Sequence, residues 1–295
     1  MANTFEHANK YANELDKMIV QESKTGFMAD GKFKARFKGA RIVNIPQVDF
    51  DGLGHYTREG GYSKGGTNFN YKSYELTKER SKQLVIDAQD ADETGISSLT
   101  GKIVGEYTQT KVNPEIDAYV LSKLYTIAEE KGNVDTFVAE KAVELMLENI
   151  NKAEAASGYT NEQMVAFVDP IMYAAIMTSE KLQHNITVSD FEQGAVNLKV
   201  KCLNGCAIIP VAADRMRTEY IFTETGFSAD SDANYIKAIV MPKNAASLVK
   251  KVDKVDIYTP DMVQDMDAYK INFRLYYDCF VMDNKKGLIF AISGE

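Results

Sequence analysis

The stretch Arg41-Ile42-Val43-Asn44-Ile45-Pro46-Gln47-Val48-Asp49-Phe50 is followed, after a polar tip, by Thr67-Asn68-Phe69-Asn70-Tyr71-Lys72-Ser73-Tyr74-Glu75-Leu76. Both limbs read as extended strands. Phe69 and Tyr71 alternate with Asn68, Asn70 and Lys72, the period-two pattern of a strand with one covered face. Between the limbs, Gly52, Gly54, Gly60, Gly61, Gly65 and Gly66 crowd a tip that is otherwise polar. A two-stranded ribbon is marginally stable in water, and its edges invite pairing with another chain. The ribbon is therefore expected to rest on something outside its own core, which is a signature of assembly.

The chain on either side of the ribbon divides by period. Tyr11, Leu15, Met18 and Ile19 recur at helical spacing and predict a short amphipathic arm near the N-terminus. From Glu93 to Lys131 an apolar stripe runs through Ile103, Tyr107, Ile116, Tyr119 or Val120, Leu124 and Ile127. Asn113-Pro114-Glu115 carries a helix-start pattern, with Asn113 as cap and Pro114 in the first turn, so the long helix kinks or restarts there. Gly132 ends it. Asp135 is expected to cap a second helix running to about Asn151, with Phe137, Val138, Ala142, Leu145, Met146 and Ile150 inward.

Val165 to Val168 reads as a short buried strand, Pro170 to Thr178 as a helix, and Ile236 to Met241 as another buried strand. Val196 to Val211 predicts a hairpin around Asn204-Gly205, a strong short turn signal. The clearest strand is C-terminal: Tyr269, Ile271, Phe273, Leu275, Tyr277, Cys279 and Val281 alternate with Lys270, Asn272, Arg274 and Asp278 opposite. It would span roughly 40 Å. Residues 283–287 then turn the chain and Leu288 to Ile292 returns. A long helix beside a long antiparallel ribbon makes an elongated platform, and residues 133–252 make a compact mixed α/β unit.

Composition sets outer limits. A chain of 295 residues can bury a large core, and 45% hydrophobic with 26% charged residues is ordinary for a globular protein. No apolar run approaches the ~18 residues of a membrane span, and the N-terminal run lacks the basic and apolar regions of a signal peptide, so a cytosolic protein without membrane partners is expected. Three cysteines (Cys202, Cys206 and Cys279) suit a reducing compartment.

The net charge of −8 is unevenly spread. Up to Lys82 there are 14 Lys and Arg against 10 Asp and Glu, and beyond it 20 against 32. Within the basic portion Lys32, Lys34, Arg36, Lys38 and Arg41 run without an intervening acid and alternate with Phe33, Ala35 and Phe37. A strand here would show one basic face. It serves as a charge-protected edge, or as an arm lying on an acidic neighbour or facing packaged nucleic acid.

At these residues the chain resembles a known family. Ile45-Pro46, the glycine-rich hairpin, Tyr74-Glu75-Leu76-Thr77, Arg80-Ser81 and Val85-Ile86-Asp87 look like the extended loop of tailed-phage major capsid proteins. Gly105-Glu106, Pro114-Glu115-Ile116-Asp117-Ala118-Tyr119 and Ser122-Lys123-Leu124 look like the start and body of their spine helix. The resemblance implies the α+β Hong Kong 97-type capsid fold, shared with encapsulin nanocompartments. The implied divisions are an N-terminal arm at 1–39 and an extended loop at 40–86. A peripheral domain takes 87–132 plus 253–295, and a compact axial domain takes 133–252.

The implied function is structural. The chain would self-assemble as pentamers and hexamers into an icosahedral phage head, assembled in the host cytoplasm and carried in the virion. A scaffolding protein, a portal and a head-maturation protease are implied partners, with packaged double-stranded DNA contacted weakly. Gly60, Gly61, Tyr62, Lys64, Gly65 and Gly66 would form the intersubunit loop tip, with Lys64 placed where some relatives cross-link. Lys32, Lys34, Arg36, Lys38 and Arg41 would be arm contacts. An encapsulin-like cargo compartment and a cytosolic α/β enzyme built on 133–252 are the alternative readings.

The chain offers little chemistry to support an enzyme. Gly95 to Ile103 has one residue too many between glycines for a phosphate-binding loop, and Ile103 where Ser or Thr must reach magnesium. Cys202 and Cys206 lack a second ligand pair for zinc. Asp230, Asp232 and Asn234 start like a calcium loop, but Tyr235 replaces the needed glycine. His7, His55 and His184 stand apart from any nucleophile. No cofactor, metal or catalytic residue is expected.

Overall fold

A computed structural model describes residues 23–29, 36–38, 42–56, 58, 65–89, 100–179, 186–193 and 196–294. In chain order the strands and helices begin with β1 (Arg36–Lys38), β2 (Ile42–Phe50), β3 (Thr67–Glu75), β4 (Lys78–Asp87), α1 (Thr100–Tyr107) and α2 (Asn113–Glu130). There follow β5 (Val134–Thr136), α3 (Ala142–Ser157), β6 (Met164–Val168), α4 (Pro170–Thr178), β7 (Ile186–Gln193), β8 (Val196–Leu203) and β9 (Cys206–Pro210). The last are β10 (Tyr220–Thr223), β11 (Gly226–Ala229), β12 (Tyr235–Pro242), β13 (Ala246–Tyr258), β14 (Ala268–Val281) and β15 (Phe290–Gly294).

The two limbs of the opening stretch pair as expected. β2 and β3 are antiparallel from Ile42 opposite Glu75 to Phe50 opposite Thr67, and β1 adds a short third strand against β2. A two-residue joint, Leu76-Thr77, then leads into β4, which lies along β14 in a different sheet ordered β13-β14-β4.

The compact part is a seven-stranded mixed sheet in the order β5-β15-β12-β6-β9-β8-β7. It is covered on both sides. Val165 and Phe167 of β6 join the core beneath α2 and the β13–β14 ribbon, while Met164, Ala166 and Val168 join the core beneath α3 and α4. Ile239 and Met241 split from Ala238 and Val240 on β12 in the same way. Covering on both faces explains why these strands read as unbroken apolar runs rather than as alternations. Asn204 (φ 51°) and Gly205 (φ 85°) make the left-handed turn between β8 and β9 that an Asn-Gly pair favours.

The long helix departs from expectation at its middle. The backbone is helical from α1 through a π-helical turn at Thr108–Val112 into α2, and the Asn113 amide donates to the Thr108 carbonyl. The widened turn precedes Pro114, which has no amide to give and whose ring crowds the preceding turn. Asn113 therefore caps nothing: its backbone is helical, and neither polar atom of its buried side chain has a partner. At the other end the chain stops as expected. Gly132 takes φ +72°, its amide bonds the Glu129 carbonyl, and the Asn133 amide bonds the Ala128 carbonyl.

Asp135 is not a helix cap. It sits in β5, parallel to β15, and its carboxylate accepts from Asn149 and Lys152 on the flank of α3, both at 3.0 Å. Val138 precedes α3 and is exposed rather than inward.

The terminal return is corrected too. β15 does not run back along β14 but enters the seven-stranded sheet between β12 and β5. Phe290, Ala291 and Ile292 are apolar on both faces and fit a strand covered on both sides. β14 is instead flanked by β4 and by β13, the latter joined over twelve residue pairs with a bulge between Lys250 and Val252. Asp278, expected on an open face, is fully buried because the root of the hairpin covers that side of β14.

Candidate assembly interface

The hairpin carries apolar side chains that are exposed to solvent. Phe69 and Tyr71 meet edge to face with centroids 5.2 Å apart, yet they stay 55% and 48% exposed, and Leu53 and Tyr56 near the tip are open to solvent. Below the tip, Asp51 Oδ2 accepts the Gly66 amide at 2.6 Å and closes the neck. Gly65 and Gly66 are exposed at the start of the return limb, whereas Gly60, Gly61, Tyr62 and Lys64 lie outside the described residues.

Of the basic run, Arg36 and Lys38 lie in β1, opposite Asn44 and Ile42, on the edge of the hairpin sheet. Lys32, Lys34 and Arg41 lie outside the described residues, as does the amphipathic arm at 8–20.

In contrast to the tip, the hairpin root is tightly held. Val43 and Leu76 pack with Val249, Tyr276 and Phe280 of the ribbon. Tyr74 lies against Phe280 at 5.1 Å, and Lys72 pairs with Asp283. That bond lowers the Asp283 carboxyl below its usual range and raises the Lys72 ammonium.

The buried Asp278 carboxylate gathers five donors. Oδ2 accepts the Thr77 amide at 3.0 Å and the Thr77 hydroxyl at 2.9 Å. Oδ1 accepts the Tyr119 hydroxyl at 2.7 Å, the Cys279 amide at 2.7 Å and the Lys123 ammonium. Burial, with the Asp278 charge beside it, raises the Tyr119 hydroxyl above its usual range.

Two further charges tie α2 to its surroundings. Arg80 of β4 forks onto Glu115 through Nε at 2.6 Å and Nη2 at 3.3 Å, and Nη2 also donates to the Thr223 and Gly226 carbonyls of the β10–β11 hairpin. Beside it Lys78 stands 3.9 Å over the Phe222 ring, and burial lowers its ammonium. On the other side of α2, buried Asp117 accepts from Ser23 Oγ at 2.6 Å, the Lys24 and Thr25 amides at 3.1 Å, Thr25 Oγ1 at 2.7 Å and Arg215 Nη1 at 3.1 Å. Residues 23–29 are thereby fastened to α2, with Phe27 stacked 6.1 Å from Phe167. Sequence reading gave neither aspartate a buried role, and the local signal was an acid inside a helix or strand with an apolar stripe.

Cys202, Cys206 and Cys279 are buried and form no disulfide, and burial pushes Cys206 and Cys279 up to about 12. Among the described residues no cluster of His, Cys, Asp and Glu could hold a metal ion. Asp230 instead accepts from Ser231 and the Asp232 amide in an exposed turn. An open cleft of about 440 Å³ lies between β4, α2 and β11, and two of its arginines are ion-paired, Arg80 with Glu115 and Arg215 with Asp117. Among the described residues no helix is long and apolar enough to cross a membrane.

No family model matches this sequence, and no curated protein matches it. Solved structures do. The structure titled capsid of the cyanophage P-SCSP1u matches with TM-score 0.57 at 13% identity, over 88% of this chain and 85% of that one. A chain of Gordonia phage Cozz matches with TM-score 0.60 at 11% identity, over 93% and 87%. A virus-like particle from Pyrococcus furiosus matches with TM-score 0.50 at 10% identity, over 99% and 100%. The chain shares the α+β fold of these structures, the cyanophage capsid among them, and the fold expected above is the fold found.

Proposed function

We propose that this chain is the major capsid protein of a tailed phage or prophage, a structural subunit that self-assembles into an icosahedral head around double-stranded DNA. The observation that carries the reading is the contrast within the hairpin. Its root is locked to α2 and the ribbon, while Phe69, Tyr71, Leu53 and Tyr56 are presented to solvent. A projecting ribbon with an uncovered aromatic edge is stable when a neighbouring subunit covers it. Repetition around closed symmetry multiplies such contacts into a stable shell.

On this reading 1–39 is the arm, 40–86 the extended loop, 87–132 with 253–295 the peripheral domain and 133–252 the axial domain. The strand at 290–294 pairs into the axial sheet. Pentamers and hexamers of the chain form the shell in the host cytoplasm, and scaffolding protein, portal and maturation protease act on it there. Gly60, Gly61, Tyr62, Lys64, Gly65 and Gly66 lie against a neighbour. Arg36 and Lys38, with Lys32, Lys34 and Arg41, supply the modest positive charge that meets an acidic neighbour or the packaged DNA. Asn113 and Pro114 mark the bend of the spine.

The test is electron microscopy of the protein expressed alone and, if no shell forms, co-expressed with neighbouring genes. Closed shells of uniform curvature are expected, and a monomer under both conditions refutes the reading. A double variant, Phe69→Ser with Tyr71→Ser, should fold normally but lower the yield of shells at least fivefold. Shells that enclose an enzyme instead of DNA would turn the reading to a cargo compartment.

A further inference from the structure

We propose that Asp278 is a positioning residue that sets the angle at which the extended hairpin leaves the body of the subunit, with Leu76-Thr77 as the joint it holds. This rests on the shell reading above, because the angle matters only if the hairpin must meet a neighbour.

The chain passes from β3 to β4 through two residues, and the strands on either side belong to different sheets. A joint that short has two pairs of soft dihedrals and no ladder of its own, so its geometry must be imposed from outside. Four groups of the joint are held from outside it. The Leu76 side chain is buried among Val43, Val249, Tyr276 and Phe280, and its carbonyl accepts the Tyr276 hydroxyl at 3.2 Å. The Thr77 amide and hydroxyl both go to Asp278 Oδ2.

The other oxygen, Oδ1, takes the Tyr119 hydroxyl and the Lys123 ammonium, both from α2, and the amide of its own neighbour Cys279. One carboxylate thus fixes the joint of the hairpin, the long helix and the long ribbon relative to one another. Tyr119 is braced in turn, edge to face with Tyr277 at 5.8 Å and Phe222 at 6.0 Å.

A structural role in packing alone would not call for this arrangement. An ionised carboxylate with no exposure is costly unless every lone pair is used, and a well-packed apolar side chain stabilises such a site at least as well. What the carboxylate adds is direction, since each donor must lie at hydrogen-bond distance and near-linear geometry. Two oxygens facing opposite partners specify an angle that an apolar contact leaves free.

The experiment uses the unassembled subunit, so it does not depend on shells forming. Spin labels replace the exposed Leu53 at the hairpin tip and the exposed Glu129 on α2, with the three native thiols buried. Wild type should give one narrow distance distribution. Asp278→Asn should at least double its width, Thr77→Val should widen it to a lesser degree, and Thr77→Ser should restore it. Circular dichroism establishes that each variant is folded. If Asp278→Asn does not fold, Thr77→Val against Thr77→Ser decides. Widths unchanged from wild type in folded variants overturn the proposal, whatever the microscopy shows. In shells the same pair should separate, with Thr77→Val losing at least fivefold in closed particles and Thr77→Ser losing little.

Discussion

Replacing Asp117 with alanine tests whether a single buried carboxylate fastens the N-terminal segment to the long helix. Five donors converge on it, and all but Arg215 come from residues 23–25. Hydrogen bonds to a charged acceptor contribute about 1.5–3 kcal/mol each, but not all are lost on truncation. Arg215 is 24% exposed and rehydrates, as does the half-buried Lys24 amide. Ser23 and Thr25 are buried, so their hydroxyls and the Thr25 amide are left dry at about 1–3 kcal/mol per group, offset partly by the Ser23–Thr25 contact at 3.3 Å. The expected loss is about 3–5 kcal/mol, the range for breaking a buried charged pair.

That loss is as large as the hold of the segment itself, so residues 23–29 should detach. Phe27→Ala alone should cost about 3–5 kcal/mol by emptying a site against Phe167. If both changes act by releasing one segment, the double variant should fall short of the sum by about 2 kcal/mol or more. Urea unfolding of the unassembled subunit gives the three energies, and hydrogen exchange at the Lys24, Thr25 and Met28 amides reports the release. A cost below about 1 kcal/mol for Asp117→Ala, or energies that add within about 0.5 kcal/mol, would refute the reasoning.

The three thiols should resist an alkylating reagent at pH 8 in the folded subunit and react within minutes once it is unfolded, because burial raises Cys206 and Cys279 to about 12; rapid native labelling would contradict this. Gly205→Ala should destabilise the subunit by about 1 kcal/mol in urea unfolding, since φ +85° strains an L side chain although space for a methyl exists. The Lys72–Asp283 pair lowers the folded-state pKa of Asp283, so its stabilisation is present above the ordinary value of about 3.9 and fades as pH falls toward the lower folded one. The melting difference between wild type and Asp283→Asn should therefore be small and constant from pH 7 to 5 and shrink below about pH 4; a difference that grows with acid would reverse the sign of the argument.

Several elements were legible before any coordinates, because their signals are local. The pairing of the two hairpin limbs follows from period-two patterning on both sides of a glycine-rich tip. Asn204-Gly205 and Gly132 mark positions where the backbone must turn left-handed. β6, α4, β12 and β14 follow from apolar runs and alternation bounded by turn residues. The exposed apolar face of the hairpin was legible in the same way, as alternating aromatic residues on a thin ribbon.

Other features were set by contacts far along the chain. β13 escaped notice because the bulge at Lys251 shifts its apolar residues from one parity, at Leu248, to the other, at Val255 and Ile257, and so erases the alternation. β15 looks the same locally whether it doubles back along β14 or crosses to the sheet, and only the uncovered edge of β12 decides. Asp135 read as a cap and Asp278 as an open-face residue, and Asp117 stood only as one position of the long helix. Apart from the Cys279 amide, their partners stand 14 to 201 residues away, and such a carboxylate is defined by the donors that fold onto it. Period and turn chemistry act over a few residues, so the sequence alone determined the helices, strands and turns whose signals are local. Sheet membership, the π-turn before Pro114 and the buried charges that join hairpin, helix and ribbon depend on distant surfaces meeting, which only the tertiary structure decided.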